Sequence, residues 1–140
     1  MTALELINRQ MDDAEFMLSQ TFKGFPNEHA DTKVGPLMTV RELAVHMTDA
    51  YYAAKAYLKG DKYEFGSYTA SEGTVEELVS KLFAVRSEAV AQFRAIESDE
   101  AIHHASDFLV AHDHYHVGQV VLIHSSVDPE WNAYCIYDKH

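Results

Sequence analysis

The segment Ala111-His112-Asp113-His114-Tyr115-His116-Val117-Gly118-Gln119 holds the residues best suited to chemistry, because a helix brings His112 and His116 onto one face. Two imidazoles at that spacing suit a metal ion. At about 100° per residue, Ala105, Leu109, His112, His116 and Ile123 fall within roughly a 60° arc, so both rings are expected to point where the apolar side chains point. His114 projects from nearly the opposite side and is read as a solvated residue. Asp113, turned from His112 by about 100°, is expected to be surface charge.

A third histidine, His46, follows Leu43 by one turn and stands beside Met47, at the edge of another apolar stripe. Two ligands from one helix and one from another would make a three-histidine site. Such a site holds zinc, nickel or ferrous iron through neutral imidazoles and leaves coordination positions open for water or substrate. Spacing alone leaves a competing reading open. Buried imidazoles need polar partners, and tyrosine hydroxyls, backbone carbonyls or carboxylates can supply them as well as a metal can.

Several neighbours bear on the same choice. Gln119 lies near the face of His116 and can hold that ring's second nitrogen or a bound water, or hydrogen-bond across a bundle. Asp49, one turn after His46, is read either as a solvated carboxylate or as the group that orients His46. Gly118 interrupts the helix at a cost of about 1 kcal/mol relative to alanine, which suggests close approach of another helix or a subunit. His29, His103, His104 and His124 are read as ordinary surface or boundary residues. Tyr51 and Tyr115 are expected in the core rather than at a site entrance.

The elements that must position these residues are helices. Thr2-Ala3-Leu4-Glu5, Thr39-Val40-Arg41-Glu42 and Thr74-Val75-Glu76-Glu77 each match the capping box, in which Thr and the Glu three residues on satisfy free amides. Apolar stripes follow each start: Leu4, Ile7, Met11, Ala14 and Leu18; then Val40, Leu43, Met47, Tyr51, Ala54 and Leu58; then Val75, Leu78, Leu82, Val85, Ala89, Phe93 and Ile96. A fourth helix is expected from Ser98 or Asp99 to about Val127, ahead of Asp128-Pro129. Residues 21–38 and 59–73 have loop compositions and are long for an up-and-down bundle, so at least one should cross over the bundle or border a site. The aromatic tail with Trp131, Tyr134, Ile136 and Tyr137 is expected to pack back onto the helices. The fold class is therefore all-α, a four-helix bundle, and no strand pattern of useful length competes with it.

Composition bounds the function. A chain of 140 residues that is 47% hydrophobic is read as one globular domain, residues 1–140. A net charge of −11, with only 11 Lys plus Arg, argues against nucleic acid as a partner. No apolar run approaches a membrane span and no secretory signal is evident, so a cytoplasmic location is expected. Cys135, the single cysteine, excludes an internal disulfide and is read as packing.

Thr39-Val40-Arg41-Glu42-Leu43-Ala44-Val45-His46, followed by His112-x-x-x-His116-x-Gly118-Gln119, resembles the DinB/YfiT-like superfamily of bacterial damage-inducible proteins. Asp128-Pro129-Glu130-Trp131-Asn132-Ala133-Tyr134 is similar to that family's closing segment, so the resemblance spans nearly the whole chain. It implies a four-helix bundle, a homodimer and a divalent metal on His46, His112 and His116. It further implies a metal-dependent enzyme, either a thiol S-transferase with a small thiol at the metal or a hydrolase with water there. A non-catalytic metal-binding stress-response protein is the alternative. Many relatives place Arg directly after the second histidine of the pair. Val117 stands there in this chain, so no clamp for an anionic substrate group is implied.

Overall fold

The computed structural model describes residues 1–139, which are all-helical, with no strand among them. Three long helices come first: α1 (Ala3–Phe22), α2 (Val40–Lys59) and α3 (Val75–Arg94). All three start at the expected capping boxes. The side chains of Thr2, Thr39 and Thr74 accept from the backbone N–H of Glu5, Glu42 and Glu77, and each glutamate carboxylate returns to its threonine's N–H. The exchange satisfies amides that a helix start otherwise leaves unpaired. α2 stops at Gly60, whose φ of 72° is left-handed and therefore favours glycine.

The fourth rod is continuous but not uniform: α4 (Asp99–Ala105) runs into a π-helical stretch (Ser106–Ala111) and then into α5 (His112–Val127). Its ends fall where the sequence places them. Ser98 caps the start by accepting from the Ala101 N–H. The π stretch is a finding the sequence did not announce. Its wider turns occur mostly as local insertions, often at functional sites, and this one ends directly before His112.

The four rods close a ring, α2 against α3 and α1 against α5, with further contacts between α2 and α5 and between α1 and α3. The packing is that of a helical bundle. Leu18, Leu43, Met47, Leu82, Leu109, Val120 and Ile123 are fully buried at its centre. Burial stabilises each by about 1.5–3 kcal/mol relative to exposure. No helix among the described residues is long and apolar enough to cross a membrane.

The connections are tied down rather than loose. Arg41 spans both long loops, donating from Nε to Asp31 (2.8 Å) and from Nη1 to the Gly73 carbonyl (2.8 Å). Asn27, in a short 3₁₀ turn, accepts from the Val75 N–H at 2.9 Å. The tail packs back onto α1 as expected: Ile136 is buried in a second 3₁₀ turn (Ala133–Tyr137), and Lys139 pairs with Asp13 at 2.6 Å. Cys135 is half-buried beside the Gln20 carbonyl, a packing position.

Two expectations about side-chain placement fail here, and a third is narrowed. Tyr115 is 66% exposed rather than in the core, because the buried face of α5 runs through Asp113, His116, Val117, Val120, Ile123 and His124. His124 is fully buried, not a surface or boundary residue. Its Nδ1–H donates to the Thr21 carbonyl at 2.8 Å, and its ring lies flat on Trp131 with centroids 4.0 Å apart. Gly118 has nothing within 4 Å of where a Cβ would stand, so no other helix of this chain approaches it.

Candidate metal centre

His46 from α2 and His112 and His116 from α5 converge in the groove between the two helices. One nitrogen from each ring lies within 4.8 Å of the others. The ring centroids are 4.4 Å apart for His112 and His116, 4.9 Å for His46 and His116, and 5.5 Å for His46 and His112. His116 is the buried member of the cluster; His46 and His112 are partly open. The expectation that two histidines of one helix meet a third from another is therefore realised in space.

Hydrogen bonding defines which nitrogens are available. His116 Nδ1 lies 2.7 Å from Gln119 Oε1, an acceptor, so that nitrogen carries the proton and Nε2 keeps its lone pair. His116 Nε2 in turn lies 3.1 Å from His112 Nε2. Two metal-bound nitrogens at about 2.0–2.1 Å from a tetrahedral ion stand about 3.3 Å apart, so the pair sits close to ligand spacing. His112 Nδ1 is buried without a hydrogen-bond partner, 3.8 Å from Asp113 Oδ1. Of the sequence alternatives for Gln119, the structure shows the bond to the ring's second nitrogen.

The electrostatics favour neutral rings. Burial, followed by repulsion from the other two imidazoles, lowers His116 to about 4, against the opposing pull of its Gln119 bond. Burial and then the proximity of His112 also lower His46, with Asp49 opposing. Neutral imidazole is the form that ligates a metal. At neutral pH neither ring has to shed a proton first.

Asp49 is neither solvated nor bonded to His46. It is buried, and its carboxylate accepts from Tyr63 Oη (2.5 Å), the Gly66 N–H (2.8 Å) and the Tyr68 N–H (3.1 Å). Burial alone would raise its pKa, but these three bonds outweigh it and hold the group below the usual carboxylate range. Asp49 thus anchors the loop after α2 beside the cluster. That loop is tied to α2 one turn after His46.

Asp113 overturns its reading as surface charge more completely. It is fully buried and pairs with Arg86 of α3, whose Nε donates to Oδ2 at 2.9 Å, while Tyr51 of α2 donates to Oδ1 at 2.5 Å. Arg86 Nη2 also donates to the Met11 carbonyl at 2.9 Å and to the Leu109 carbonyl of the π stretch at 3.4 Å. Burial would lower Arg86, but the charge of Asp113, the Tyr51 hydroxyl and the hydrogen bond to Asp113 together outweigh it and raise the guanidinium above its usual value. Burial, then the same charge, pushes the Tyr51 hydroxyl well above its ordinary value. The sequence does carry a signal for this network. Arg86 stands one turn after Leu82 and one before Ala89, and Asp113 one turn after Leu109, so two opposite charges occupy apolar stripes.

Of the remaining histidines, His104 is half-buried and stacked on Tyr57, which fits a boundary residue. His103 is exposed, and His29 bonds Thr32 within its own loop. Fold and cluster together define an all-helical, four-helix protein with a three-histidine group able to hold a metal. No protein-family model, curated protein or solved structure matches the chain.

Proposed function

We propose that this protein binds a divalent transition metal, zinc, nickel or iron, on His46, His112 and His116, and that it is a metal-dependent protein of the DinB/YfiT-like kind. The observation that carries the reading is the pair of Nε2 atoms 3.1 Å apart, with His116 fixed in the ligating tautomer by Gln119. A buried nitrogen without a partner occurs at His104 and His124 as well as at His112, so the convergence of three rings, rather than the unpartnered Nδ1, supports a metal. His46, His112 and His116 would hold the ion, and His112 Nδ1 would then face the Asp113 carboxylate, whose Oδ1 lies 3.8 Å away. Carboxylate support of a ligating histidine is the usual outer arrangement of such sites.

Three protein ligands leave positions open, and an open position suits catalysis. When bound, the metal supplies a Lewis acid that lowers the pKa of a water or a small thiol, the nucleophile in a hydrolase-like or S-transferase-like reaction. The chain's own residues bring three imidazoles, two of them held neutral by burial, and a tautomer fixed at His116 by Gln119. One observation favours the second reading, a non-catalytic metal-binding stress-response protein: both carboxylates next to the ligands are already engaged, Asp49 with the loop and Asp113 with Arg86. Neither is free to act as a base. A cytoplasmic homodimer without nucleic-acid partners belongs to the same proposal.

Elemental mass spectrometry of untagged protein, with His46→Ala, His112→Ala and His116→Ala alongside, tests the reading. Near-stoichiometric metal in the wild type, lost in each folded variant, is the expected result. Full metal retention in the His112→Ala protein would overturn the ligand assignment, and no uptake of added zinc or nickel by the wild type would overturn the metal itself.

A further inference from the structure

Between α2 and the α4–π segment lies a cavity of about 390 Å³, within the range of about 300–1,000 Å³ usual for small-molecule sites. Its floor is bare because α2 presents Ala53 and Ala54 there, between the larger Tyr51 and Leu58 of the same helix. Its walls are aromatic. Tyr57 lies flat on His104, with centroids 3.9 Å apart and planes 13° from parallel, and its hydroxyl donates to Glu100. Phe108 stands 4.4 Å from His104.

The loop supplies the opposite wall. Tyr63 is fixed through its bond to Asp49, and Phe65 meets it edge-on at 6.2 Å. Phe65, Tyr57 and Phe108 are 68%, 45% and 36% exposed, so three large aromatic side chains reach solvent around one cavity. Grouped exposed apolar surface of this sort marks a binding site more often than scattered residues do. Asp61 is the only charged residue in the lining, and its carboxylate has no ion-pair or hydrogen-bond partner among the described residues.

We infer that this cavity is a binding site for a planar aromatic group that is uncharged or carries an ammonium at its edge. Flat rings stack on Tyr and Phe faces, and a cation beside them gains from both the ring faces and Asp61. An anion meets the Asp61 carboxylate and the net charge of −11. Phe108 lies in the π stretch, four residues before His112. The inference goes beyond the metal reading and does not depend on it.

Calorimetry of the metal-free protein with four probes tests it: naphthylmethylammonium, naphthylmethanol, cyclohexylmethylammonium and naphthoate. The two uncharged or cationic arenes are expected to saturate one site at millimolar concentration or below, as about 0.3 kcal/mol per non-hydrogen atom gives for a dozen atoms. The other two probes should bind about tenfold more weakly or not at all. Ala53→Leu, which fills the floor, should weaken both arenes about tenfold. Asp61→Asn, an exposed loop change, should weaken the ammonium about three- to tenfold and leave naphthylmethanol unmoved. His116→Ala should change neither, which separates failure of this site from failure of the metal site. Absence of saturation by either arene, unaltered binding in folded Ala53→Leu, or equal affinity for the cyclohexyl probe would overturn the assignment; an ammonium indifferent to Asp61→Asn would overturn its charge preference.

Discussion

His112 and Asp113 are neighbours in the chain and belong to two polar clusters with opposite logic. Around Asp113 the polar groups are buried and matched: Arg86 and Tyr51 satisfy both carboxylate oxygens, and Arg86 Nη2 finds two backbone carbonyls. Around His112 the matching is incomplete: its Nε2 and that of His116 lie within hydrogen-bond reach at 3.1 Å and His116 Nδ1 is held by Gln119, but His112 Nδ1 is buried without a partner. A satisfied cluster fixes how α2, α3 and α5 sit together; an unsatisfied one keeps binding capacity in reserve. The bundle's stability and the metal affinity proposed for it rest on adjacent residues but different partners, so they should come apart under mutation.

The largest effect is expected from breaking the matched cluster. Arg86→Met leaves Asp113 buried without its cation and should lose about 3–5 kcal/mol of unfolding free energy by chemical denaturation. Adding Asp113→Leu to that variant should recover much of the loss. A decrease under 1 kcal/mol would mean that the pair does not hold the helices. His116→Ala should do the reverse: metal affinity falls by more than the roughly 100-fold upper range for outer partners, while the metal-free protein loses less stability than Arg86→Met. Competition titration with a zinc chelator and a parallel denaturation curve measure the two quantities. Equal damage to both would erase the distinction.

Smaller changes sharpen the comparison. Gln119→Leu removes the acceptor that fixes the His116 tautomer and should weaken zinc binding about 10–100-fold with the bundle intact; unaltered zinc affinity would count against the tautomer argument. His124 offers a control far from both clusters. Burial lowers its pKa, with the Thr21 carbonyl and Asp128 opposing. The unfolded chain therefore takes up the proton first, and stability falls as pH drops below the ordinary histidine value of about 6.5. His46, His104 and His116 are lowered as well and share in that fall. His124→Phe should make the loss between neutral pH and the folded-state pKa shallower without abolishing it, as thermal melts across that window would show. An unchanged slope would remove His124 from the account.

The fold was largely legible because its signals are local. Three capping boxes and three apolar stripes mark helix starts and faces, and the observed helices begin where they should. The histidine cluster was legible for the same reason, since i,i+4 spacing and stripe position are properties of single helices. What escaped depends on partners distant in sequence. Asp113 reads as surface charge until Arg86, 27 residues earlier, is brought opposite it. Asp49 reads as solvated until the loop folds back to donate two N–H groups and a tyrosine hydroxyl. His124 becomes a core residue only because Trp131 returns to cover it. The π stretch leaves no periodicity to read, because a wider turn shifts the apolar pattern by less than a sequence can resolve.

The most direct test of the central claim is X-ray absorption at the zinc edge on protein loaded with one equivalent of the metal, compared with the His46→Ala variant. Three imidazole ligands at about 2.0–2.1 Å, reduced to two when His46 is removed, are the expected result. A wild-type site with fewer than three imidazoles, or a spectrum unchanged by His46→Ala, would contradict the three-histidine centre.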